Sequence, residues 1–479
     1  QPMITQIEID GFKTFKDFKV ELAPFQVIVG PNGSGKSNLF DALHLLSRLT
    51  DTDLRTAFQE VRGEAGELFT RLSGGELVDR LRFAVEMLVD RKVQDRLGRE
   101  VKLKDARLRY EIEVTRRTGD SSLTELHITH EVLRSIPVDR DNWIKKYHIS
   151  SSTEKWKYFI NTNQLGYISS ATRDPHTLEP PGIPMVRLYH DSVGKTETFT
   201  AEKMEATVLS SINDTKYPHA FAAHEELHSL RFLRLNPEEL RQPGSTTAMP
   251  FLTYEGKNMA TALARIQAED SFAFHLVSLD MANLVPGILK IRVEQDKNSD
   301  KYVIFAETSD GRSFSSRLLS DGTLRLLALA TLRNDPQFHG VLCLEEPENG
   351  VDPLHLKTMA RVLRGMATDF NDSEQRNEPL RQILITTHSP SFVSLPDVID
   401  SLLVAFTPSH IDGKNATALR VTRMMSVATP TTLSSIKADI NGDRAVAFYS
   451  IDQVRKYLNS ETLEEARDQL KEARDNLIR

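Results

Sequence analysis

Residues 30–37 read Gly30-Pro31-Asn32-Gly33-Ser34-Gly35-Lys36-Ser37 and fit the pattern G-x-x-x-x-G-K-[ST] at every fixed position. The preceding apolar run, 25–29 (FQVIV), predicts a buried strand, and the following run, 37–49 (SNLFDALHLLSRL), predicts an amphipathic helix. A glycine-rich loop between a strand and a helix is the context in which backbone N–H groups cradle phosphates. The segment therefore predicts a nucleotide site, and the alternative is a glycine-rich turn that serves packing alone.

Each position of the loop has a physical reason. The glycines let successive N–H groups converge on an anion, and the helix directs the positive end of its dipole at the same place. Lys36 would reach the β- and γ-phosphates, while the hydroxyl of Ser37 would complete the coordination of Mg²⁺. The predicted cofactors are ATP and Mg²⁺, and the predicted nucleotide contacts are Asn32, Gly33, Ser34, Gly35, Lys36, Ser37 and Asn38.

Composition limits the class of protein. The 479 residues suggest two or three compact units, and 39% hydrophobic with 27% charged residues is ordinary for a soluble protein. No run of about 18 apolar residues could span a bilayer and no signal peptide is visible, so we expect a cytoplasmic protein without membrane contact. The net charge of −7 argues against a strongly basic nucleic-acid binder. The single cysteine, Cys343, is expected in the core.

A second apolar run far down the chain ends in carboxylates. Residues 340–344 (GVLCL) predict a strand, and Glu345, Glu346, Pro347 and Glu348 follow it. At the carboxyl end of a parallel sheet, one carboxylate can hold Mg²⁺ and the next can orient the attacking water. We assign Glu345 to the metal and Glu346 to the water. The alternative is a solvated strand end.

Two further segments add polar groups. In Leu318-Leu319-Ser320-Asp321-Gly322-Thr323, Ser320 is typical of a helix N-cap and Gly322 of a close backbone approach, so this helix start could bind a phosphate. The predicted strand 382–387 (QILITT) ends at His388, a residue able to contact a γ-phosphate.

The order of these motifs resembles the ATP-binding-cassette ATPases of the SMC, RecF and OLD type. The resemblance covers residues 3 to about 48 and about 315 to 403. It implies an α/β ATPase head, with a mixed sheet and flanking helices and a compact α+β insertion between the Walker A and signature motifs. It assigns the signature motif to Ser320, Asp321 and Gly322, Walker B to Glu345, the catalytic glutamate to Glu346, the D-loop to Asp352, and the switch histidine to His388.

The same resemblance implies two weaker assignments and a mode of assembly. Residues 9–15 (IDGFKTF) resemble an element of SMC heads that brings Lys13 near the phosphates, and Gln59 is the candidate Q-loop glutamine, a metal contact. Two heads would pack head-to-tail as a homo-oligomer, with Ser320 of one capping the ATP held by Lys36 of the other. ATP would then join the subunits, and hydrolysis would release them.

A second candidate for the signature motif lies closer to the phosphate loop. Leu72-Ser73-Gly74-Gly75-Glu76 looks more like the usual L-S-G-G-Q, but the strand-like segment 80–89 follows it and no acidic strand end comes next. We therefore interpret residues 72–76 as a turn.

The motifs divide the chain into four predicted segments. Residues 3–56 carry Walker A, residues 57–310 form a β-rich and then helical insertion, residues 311–408 carry the remaining motifs, and residues 409–479 form a strand and a helical end. Sustained apolar heptads are absent, so the insertion is expected to be globular. The spacing of leucine and alanine over 463–477 predicts a short helical seam that docks on its own domain or on a sister subunit.

Residues 134–158 alternate basic and aromatic side chains and include both tryptophans, Trp143 and Trp156. This pattern suits DNA or RNA contact through phosphate charge and base stacking. The alternative is a charged surface with aromatic residues packed beneath it.

Two functions fit these observations. The first is a switch ATPase without its own effector, similar to the standalone ATPase subunits of anti-phage systems such as PARIS or Septu, which control a separate nuclease or toxin. OLD-type nucleases carry a TOPRIM nuclease domain after the ATPase, with a glutamate and a D-x-D carboxylate set that binds metal. No such set is found after His388, which favours the first function. The second is a RecF-like repair ATPase that clamps on DNA. A transporter motor fits poorly, because the long insertion is foreign to transporter cassettes.

Overall fold

The computed structural model describes residues 3–72, 74–118, 124–147, 149, 166–171, 184–190, 196–372, 374–411, 418–427 and 451–459. Three larger sheets, two two-stranded sheets and their flanking helices form the described structure. The predicted α/β architecture, a mixed sheet with flanking helices, is confirmed. The helices are α1 Lys36–Leu49, α2 Leu54–Glu60, α3 Asn142–Lys146, α4 Pro218–His228, α5 Pro237–Leu240, α6 Met259–Glu269, α7 Ser271–Leu284, α8 Asp321–Asn334, α9 Pro353–Met366, α10 Pro390–Val393, α11 Pro396–Ile399 and α12 Ile451–Leu458.

The central sheet carries the predicted nucleotide site. Its strands, in spatial order, are β12 Arg231–Leu233, β17 Gly340–Glu345, β18 Arg381–Thr387, β3 Phe25–Val29, β19 Leu402–Phe406 and β22 Arg423–Ser426. The first five are parallel and β22 is antiparallel. Both faces of β3, β17 and β18 are covered, which explains why these strands read as continuous apolar runs.

A large antiparallel sheet covers one face of the central sheet. Its strands, in spatial order, are β11 Thr196–Thr200, β10 Met185–Tyr189, β9 Gly166–Ala171, β8 Thr124–Ser135, β7 Arg107–Thr118, β4 Arg80–Leu88, β1 Met3–Asp10 and β2 Phe18–Glu21. Its apolar residues share a core with α1 and with Ile28 and Cys343 of the central sheet. The buried Cys343 confirms the expectation from sequence.

Helices α6 to α9 cover the opposite face. They share a second core with Val27 and Leu344, the alternate residues of the same strands. Within the predicted helical part of residues 57–310, α6 and α7 are separate helices, because Asp270 leaves the helical conformation and its carboxylate accepts hydrogen bonds from the N–H groups of Phe272 and Ala273. Beside them lies a sheet of β13 Gly244–Ser245, β14 Ile288–Asp296, β15 Lys301–Thr308 and β16 Ser313–Ser315.

The end of the central sheet differs from the sequence expectation. Residues 409–479 are predicted to begin with one strand, but three are present among the residues described there: β20 Ser409–Ile411 pairs with β21 Ala418–Arg420, and β22 closes the central sheet. A further small pair joins β5 Lys92–Gln94 and β6 Glu100–Lys102. The helical seam predicted over 463–477 lies outside the described residues.

The predicted insertion does not fold apart from the rest of the chain. Its strands β4 and β7 to β11 continue the sheet that β1 and β2 begin, and β12, also from residues 57–310, pairs with β17. The segment boundaries at 56, 310 and 408 stay predictions.

Candidate nucleotide site

The topology brings the main motifs to one edge of the central sheet. Strand β18 lies between β3 and β17, with Val29 opposite Thr387 and Glu345 opposite Thr386. Because all three strands are parallel, their carboxyl ends meet at this edge. A cavity of about 260 Å³ opens there, lined by Asn32, Gly33, Gly35, Lys36, Ser37, Asn38, Arg62, Glu345, Glu346 and Thr386.

The phosphate loop needs its glycines for conformation and for space. Gly33 and Gly35 have φ of 80° and 91°, in the left-handed region that favours glycine. A Cβ on Gly35 would lie 2.1 Å from Oγ1 of Thr422, so only glycine lets the loop approach this side chain. The loop leads into α1, whose first residues Lys36, Ser37 and Asn38 line the cavity, and the first N–H groups of a helix are available to an anion.

Lys36 lies at the floor of the loop. Its Nζ donates hydrogen bonds to the carbonyls of Gly30 at 2.5 Å and Pro31 at 2.9 Å. Burial lowers the pKa of its ammonium to about 8, although the carboxylates of Glu346 and Glu348 act in the opposite direction. A buried cation beside free helix N–H groups is a cradle for a polyphosphate. The residues present therefore fit the predicted nucleotide.

The two remaining polar side chains of the loop differ in their surroundings. The Oγ of Ser34 is buried without a hydrogen-bond partner in the described part of the chain, its N–H donates to the carbonyl of Pro31 at 3.2 Å, and the residue does not line the cavity. Asn38 lines the cavity, and its amide donates to Oγ1 of Thr14 at 2.9 Å. Thr14 in turn shares a hydrogen bond of 2.6 Å with Thr422. Through these hydrogen bonds, the chain segment before β22 supports the phosphate loop.

Glu346 is held in one orientation by three contacts. Its backbone is left-handed, with φ of 45°, and its N–H donates to the carbonyl of Thr386 at 2.9 Å. One carboxylate oxygen lies 2.7 Å from Nδ1 of His388, and the other accepts from Asn349 at 2.8 Å. Burial raises the pKa of Glu346, but the hydrogen bonds from His388 and Asn349, with the charges of His388 and Lys36, hold it below its ordinary value. An oriented, ionised carboxylate at this edge can polarise a water molecule.

Glu345 ends β17 beside the loop. It lines the same cavity as Ser37, and its Oε1 accepts a hydrogen bond from the hydroxyl of Tyr254 at 3.2 Å. Burial and the charge of Glu345 raise the pKa of Tyr254 to about 12. No group of three or more His, Cys, Asp or Glu suited to a metal occurs in the described residues. One carboxylate and one hydroxyl suit Mg²⁺, which takes few protein ligands and completes its shell with phosphate oxygens and water.

Sequence reasoning missed three side chains at this site. Arg62 lines the cavity and pairs with Asp41 of α1 at 2.9 Å, and Tyr254 contacts Glu345 from a distant loop. Glu348 is buried beneath the edge, where Thr387 donates to one carboxylate oxygen and the other has no partner in the described part of the chain. Of these, only Glu348 had a signal, since it belongs to the same acidic run as Glu345.

The burial of Glu348 leads to a prediction about stability. Burial raises the pKa of Glu348 to about 7, from an ordinary value of 4.5. The folded state therefore holds its proton more tightly than the unfolded state, and stability is lost as pH rises from about 4.5 to about 7. Glu348→Gln is expected to stabilise the protein by roughly 2 kcal/mol at pH 8 and to have little effect at pH 5. Urea unfolding at both pH values measures the difference.

The exposed Glu76 supplies the control, because Glu76→Gln should change the unfolding free energy equally at the two pH values. A benefit of Glu348→Gln that did not grow with pH would contradict the assignment of a buried, protonated carboxyl.

The signature segment lies away from this cavity. Ser320 caps α8 and its side chain accepts from the N–H of Thr323 at 3.2 Å, as predicted. A Cβ on Gly322 would lie 2.5 Å from the carbonyl oxygen of Gly350, so the start of α8 packs against the backbone beside Asp352. Asp352 caps α9 through the N–H of Leu354. None of these residues lines the cavity that holds Lys36.

Lys13 and Gln59, both assigned from the resemblance, lie in different places: Lys13 borders the site, and Gln59 lies away from it. Lys13 lies beside α1, where its Nζ donates to Asp41 at 2.7 Å and to the carbonyl of Arg62 at 2.8 Å, so it borders the site without lining the cavity. Gln59 does not join the predicted metal ligands. It lies on α2 and lines a different cavity, of about 890 Å³, because the helix turns this face toward β8.

Where the structure describes them, residues 72–76 agree with a turn, and the basic segment 134–158 agrees with aromatic residues packed beneath a charged surface. The N–H of Leu72 donates to the carbonyl of Glu76 and that of Gly75 to the carbonyl of Leu72, which closes a turn. Trp143 is buried, donates to the carbonyl of Leu22, and packs on Tyr147. The second half of the basic segment, with Trp156, lies outside the described residues.

None of the helices among the described residues combines the length and apolar character needed to cross a bilayer.

Comparison with known proteins gives two family matches. A model described as "AAA ATPase domain" matches residues 3–169, and one described as "AAA domain, putative AbiEii toxin, Type IV TA system" matches residues 210–394. A comparison with curated proteins gave no match.

Several solved SMC head domains align along most of the chain. An SMC head bound to the C-terminal winged-helix domain of ScpA is 12% identical, with 90% of this chain and 99% of that chain covered, at a TM-score of 0.44. A head with an extended coiled coil bound to the C-terminal domain of ScpA, from Pyrococcus furiosus, is 12% identical over 92% and 100%, at 0.44. The SMC head domain of Thermotoga maritima is 12% identical over 89% and 99%, at 0.36.

The two family models fall on the two halves of the nucleotide site. The first spans Lys36 and the second spans Glu346 and His388. Both segments that form the nucleotide site are accordingly similar to AAA ATPase domains.

Proposed function

We propose that this ATPase works as an ABC-type switch, hydrolysing ATP that is held between two copies of the chain. The observation that carries the proposal is the hydrogen bond of 2.7 Å between Glu346 and His388 at the sheet edge where Lys36 lies. A triphosphate on the loop would bring its γ-phosphate toward this pair, since Lys36 and Glu346 line one cavity.

Each side chain then has a role. Lys36, Arg62 and the N–H groups of α1 bind the phosphates. The Ser37 hydroxyl and the Glu345 carboxylate would hold Mg²⁺, which supplies positive charge beside the phosphate oxygens. Glu346 orients and polarises the attacking water, and His388 keeps that carboxylate in place. Asn38 lines the cavity and is a contact for the nucleotide of its own chain, whereas Asp352 lies outside it and would contact the nucleotide of the second copy. Lys13 supports Arg62 by donating a hydrogen bond to the carbonyl of Arg62.

The second copy is needed because the signature segment lies outside the cavity of its own chain. Ser320 and the start of α8 would cap the nucleotide of a partner, where the helix N-terminus favours a negative charge. Two leucines beside these motifs support a contact at this face, since Leu318 and Leu354 are 74% and 85% exposed. Large exposed apolar side chains next to polar motifs are typical of interaction sites.

Leu354 gives a test of this face. Leu354→Asp is expected to weaken ATP-dependent self-association by about 10-fold, because a charge would be buried in place of an apolar contact. Affinity for ATP should not change, since Leu354 lies outside the cavity. Analytical ultracentrifugation with and without ATP measures the effect. Leu289→Asp, at a residue 59% exposed on β14, is the control and should associate normally. Equal behaviour of the two variants would place the contact elsewhere.

We further propose that the switch controls a separate effector, a nuclease or toxin, in a prokaryotic anti-phage system. The family model for residues 210–394 is described by a putative toxin of a type IV toxin–antitoxin system, which favours a defence role. The alternative, a RecF-like clamp on DNA, finds less support, because the aromatic side chains of 142–147 are packed inward.

Purification from the native operon separates the two functions. A tagged Glu346→Gln chain, expressed with its neighbouring genes, should retain an effector in a fixed ratio in the presence of ATP. Binding to gapped DNA with no protein partner would exclude effector control and favour the repair clamp.

A further inference from the structure

Arg241, from a distant part of the chain, forms hydrogen bonds with the segment that leads into α8. The guanidinium of Arg241 donates to the carbonyls of Arg317 at 3.1 Å and Leu319 at 3.4 Å, and to the carboxylate of Asp321 at 2.6 Å. The carbonyl of Arg241 accepts from the hydroxyl of Ser316 at 2.9 Å. These four contacts join residues that are 75 to 80 positions apart in the sequence, and they connect the end of α5 to the signature segment.

The ion pair between Arg241 and Asp321 also changes the charge at the start of α8. Asp321 is the first residue of α8, and its side chain is 58% exposed. An acid here suits the helix dipole, but it would repel an anionic phosphate brought to the same helix start. The guanidinium of Arg241, 19% exposed, offsets that charge at hydrogen-bond distance. The planar fork lets one side chain serve the carboxylate and both carbonyls together.

We propose that Arg241 is a positioning residue for the signature segment, which neutralises Asp321 so that the start of α8 can receive the γ-phosphate of a nucleotide held by a second copy. This inference rests on the proposed function. Arg241 acts on the partner's nucleotide through Asp321 and the helix start, and it leaves the cavity of its own chain untouched, because it does not line that cavity.

A charge-rescue experiment tests the inference. In a Glu346→Gln parent that retains ATP, Arg241→Met is expected to weaken ATP-dependent self-association by about 10-fold or more, the loss typical of a charged hydrogen-bond partner. Adding Asp321→Asn to that variant removes the uncompensated charge and should restore association to within about 3-fold of the parent. At protein concentrations too low for self-association, affinity for a fluorescent ATP analogue should match that of the parent, because neither position 241 nor position 321 lines the cavity that holds Lys36.

The outcomes separate the inference from its alternatives. Association of Arg241→Met equal to the parent would overturn it. Self-association of the double variant as weak as that of Arg241→Met would also overturn the inference, since Arg241 would then only hold the backbone and have no charge role. If Arg241→Met does not fold, Arg241→Lys keeps the charge beside Asp321 and should associate within about 3-fold of the parent. A larger loss counts against the charge role.

Failure of the proposed function would look different. In that case the Glu346→Gln parent itself would not self-associate with ATP, whatever residue stands at position 241.

Discussion

Glu346→Gln is expected to slow ATP hydrolysis by about 10²- to 10³-fold, the usual contribution of a positioned general base. The amide keeps the size of the side chain and can still meet Asn349, but it cannot accept a proton or attract the ring of His388 as a carboxylate does. ATP binding should persist, because Lys36 and the helix start are unchanged. Single-turnover hydrolysis and binding of a fluorescent analogue, measured on the same sample, separate the two effects.

The same variant should accumulate an ATP-dependent dimer, since the nucleotide that joins two copies is no longer consumed. Glu76→Gln, at an exposed carboxylate outside the site, is the matched control and should hydrolyse ATP at the wild-type rate. Hydrolysis unchanged by Glu346→Gln would remove this residue from the chemistry.

Gly322→Ala should strongly weaken ATP-dependent self-association and, with it, ATP hydrolysis. A Cβ at this position would lie 2.5 Å from the carbonyl oxygen of Gly350, a backbone atom that cannot rotate away. The start of α8 would have to shift from the segment that precedes Asp352, so the helix could no longer cap a nucleotide and support the D-loop together. We expect at least about 10-fold weaker association, equivalent to roughly 1.4 kcal/mol.

Gly74→Ala is an unusually direct control for this change. Gly74 belongs to the segment that looks more like the usual signature motif, and a Cβ there would meet nothing within 4 Å. The alanine variant should therefore behave as wild type in both assays. Loss of association in Gly74→Ala, with Gly322→Ala active, would reverse the assignment of the signature motif.

The predicted residues that the structure brings to one cavity are encoded locally. The loop 30–37 and the acidic run after residue 344 each contain their functional residues within a few positions, and a buried parallel strand precedes each. Parallel strands align their carboxyl ends, so the strand pattern alone brings Glu346 and His388 to the same edge.

The parts that sequence missed depend on distant contacts. Thr422 and Tyr254 come from loops with no pattern of their own, and each acquires its role by touching a residue of another segment, Thr14 and Glu345 respectively. The assignment of Gln59 as a metal contact stays a prediction. Gln59 lies on α2 and lines another cavity, while Arg62 lines the cavity that holds Lys36.

The contact between Thr422 and the phosphate loop has a consequence for synthesis of the protein. Residues 30–37 leave the ribosome early, yet their neighbouring strands β18 and β19 and the side chain behind Gly35 follow more than 340 residues later. At about 5–20 residues per second, the loop waits tens of seconds for its supports. A nascent chain should therefore gain affinity for ATP only once the segment around Thr422 has emerged, so a truncated product would not compete for the nucleotide or join an assembly.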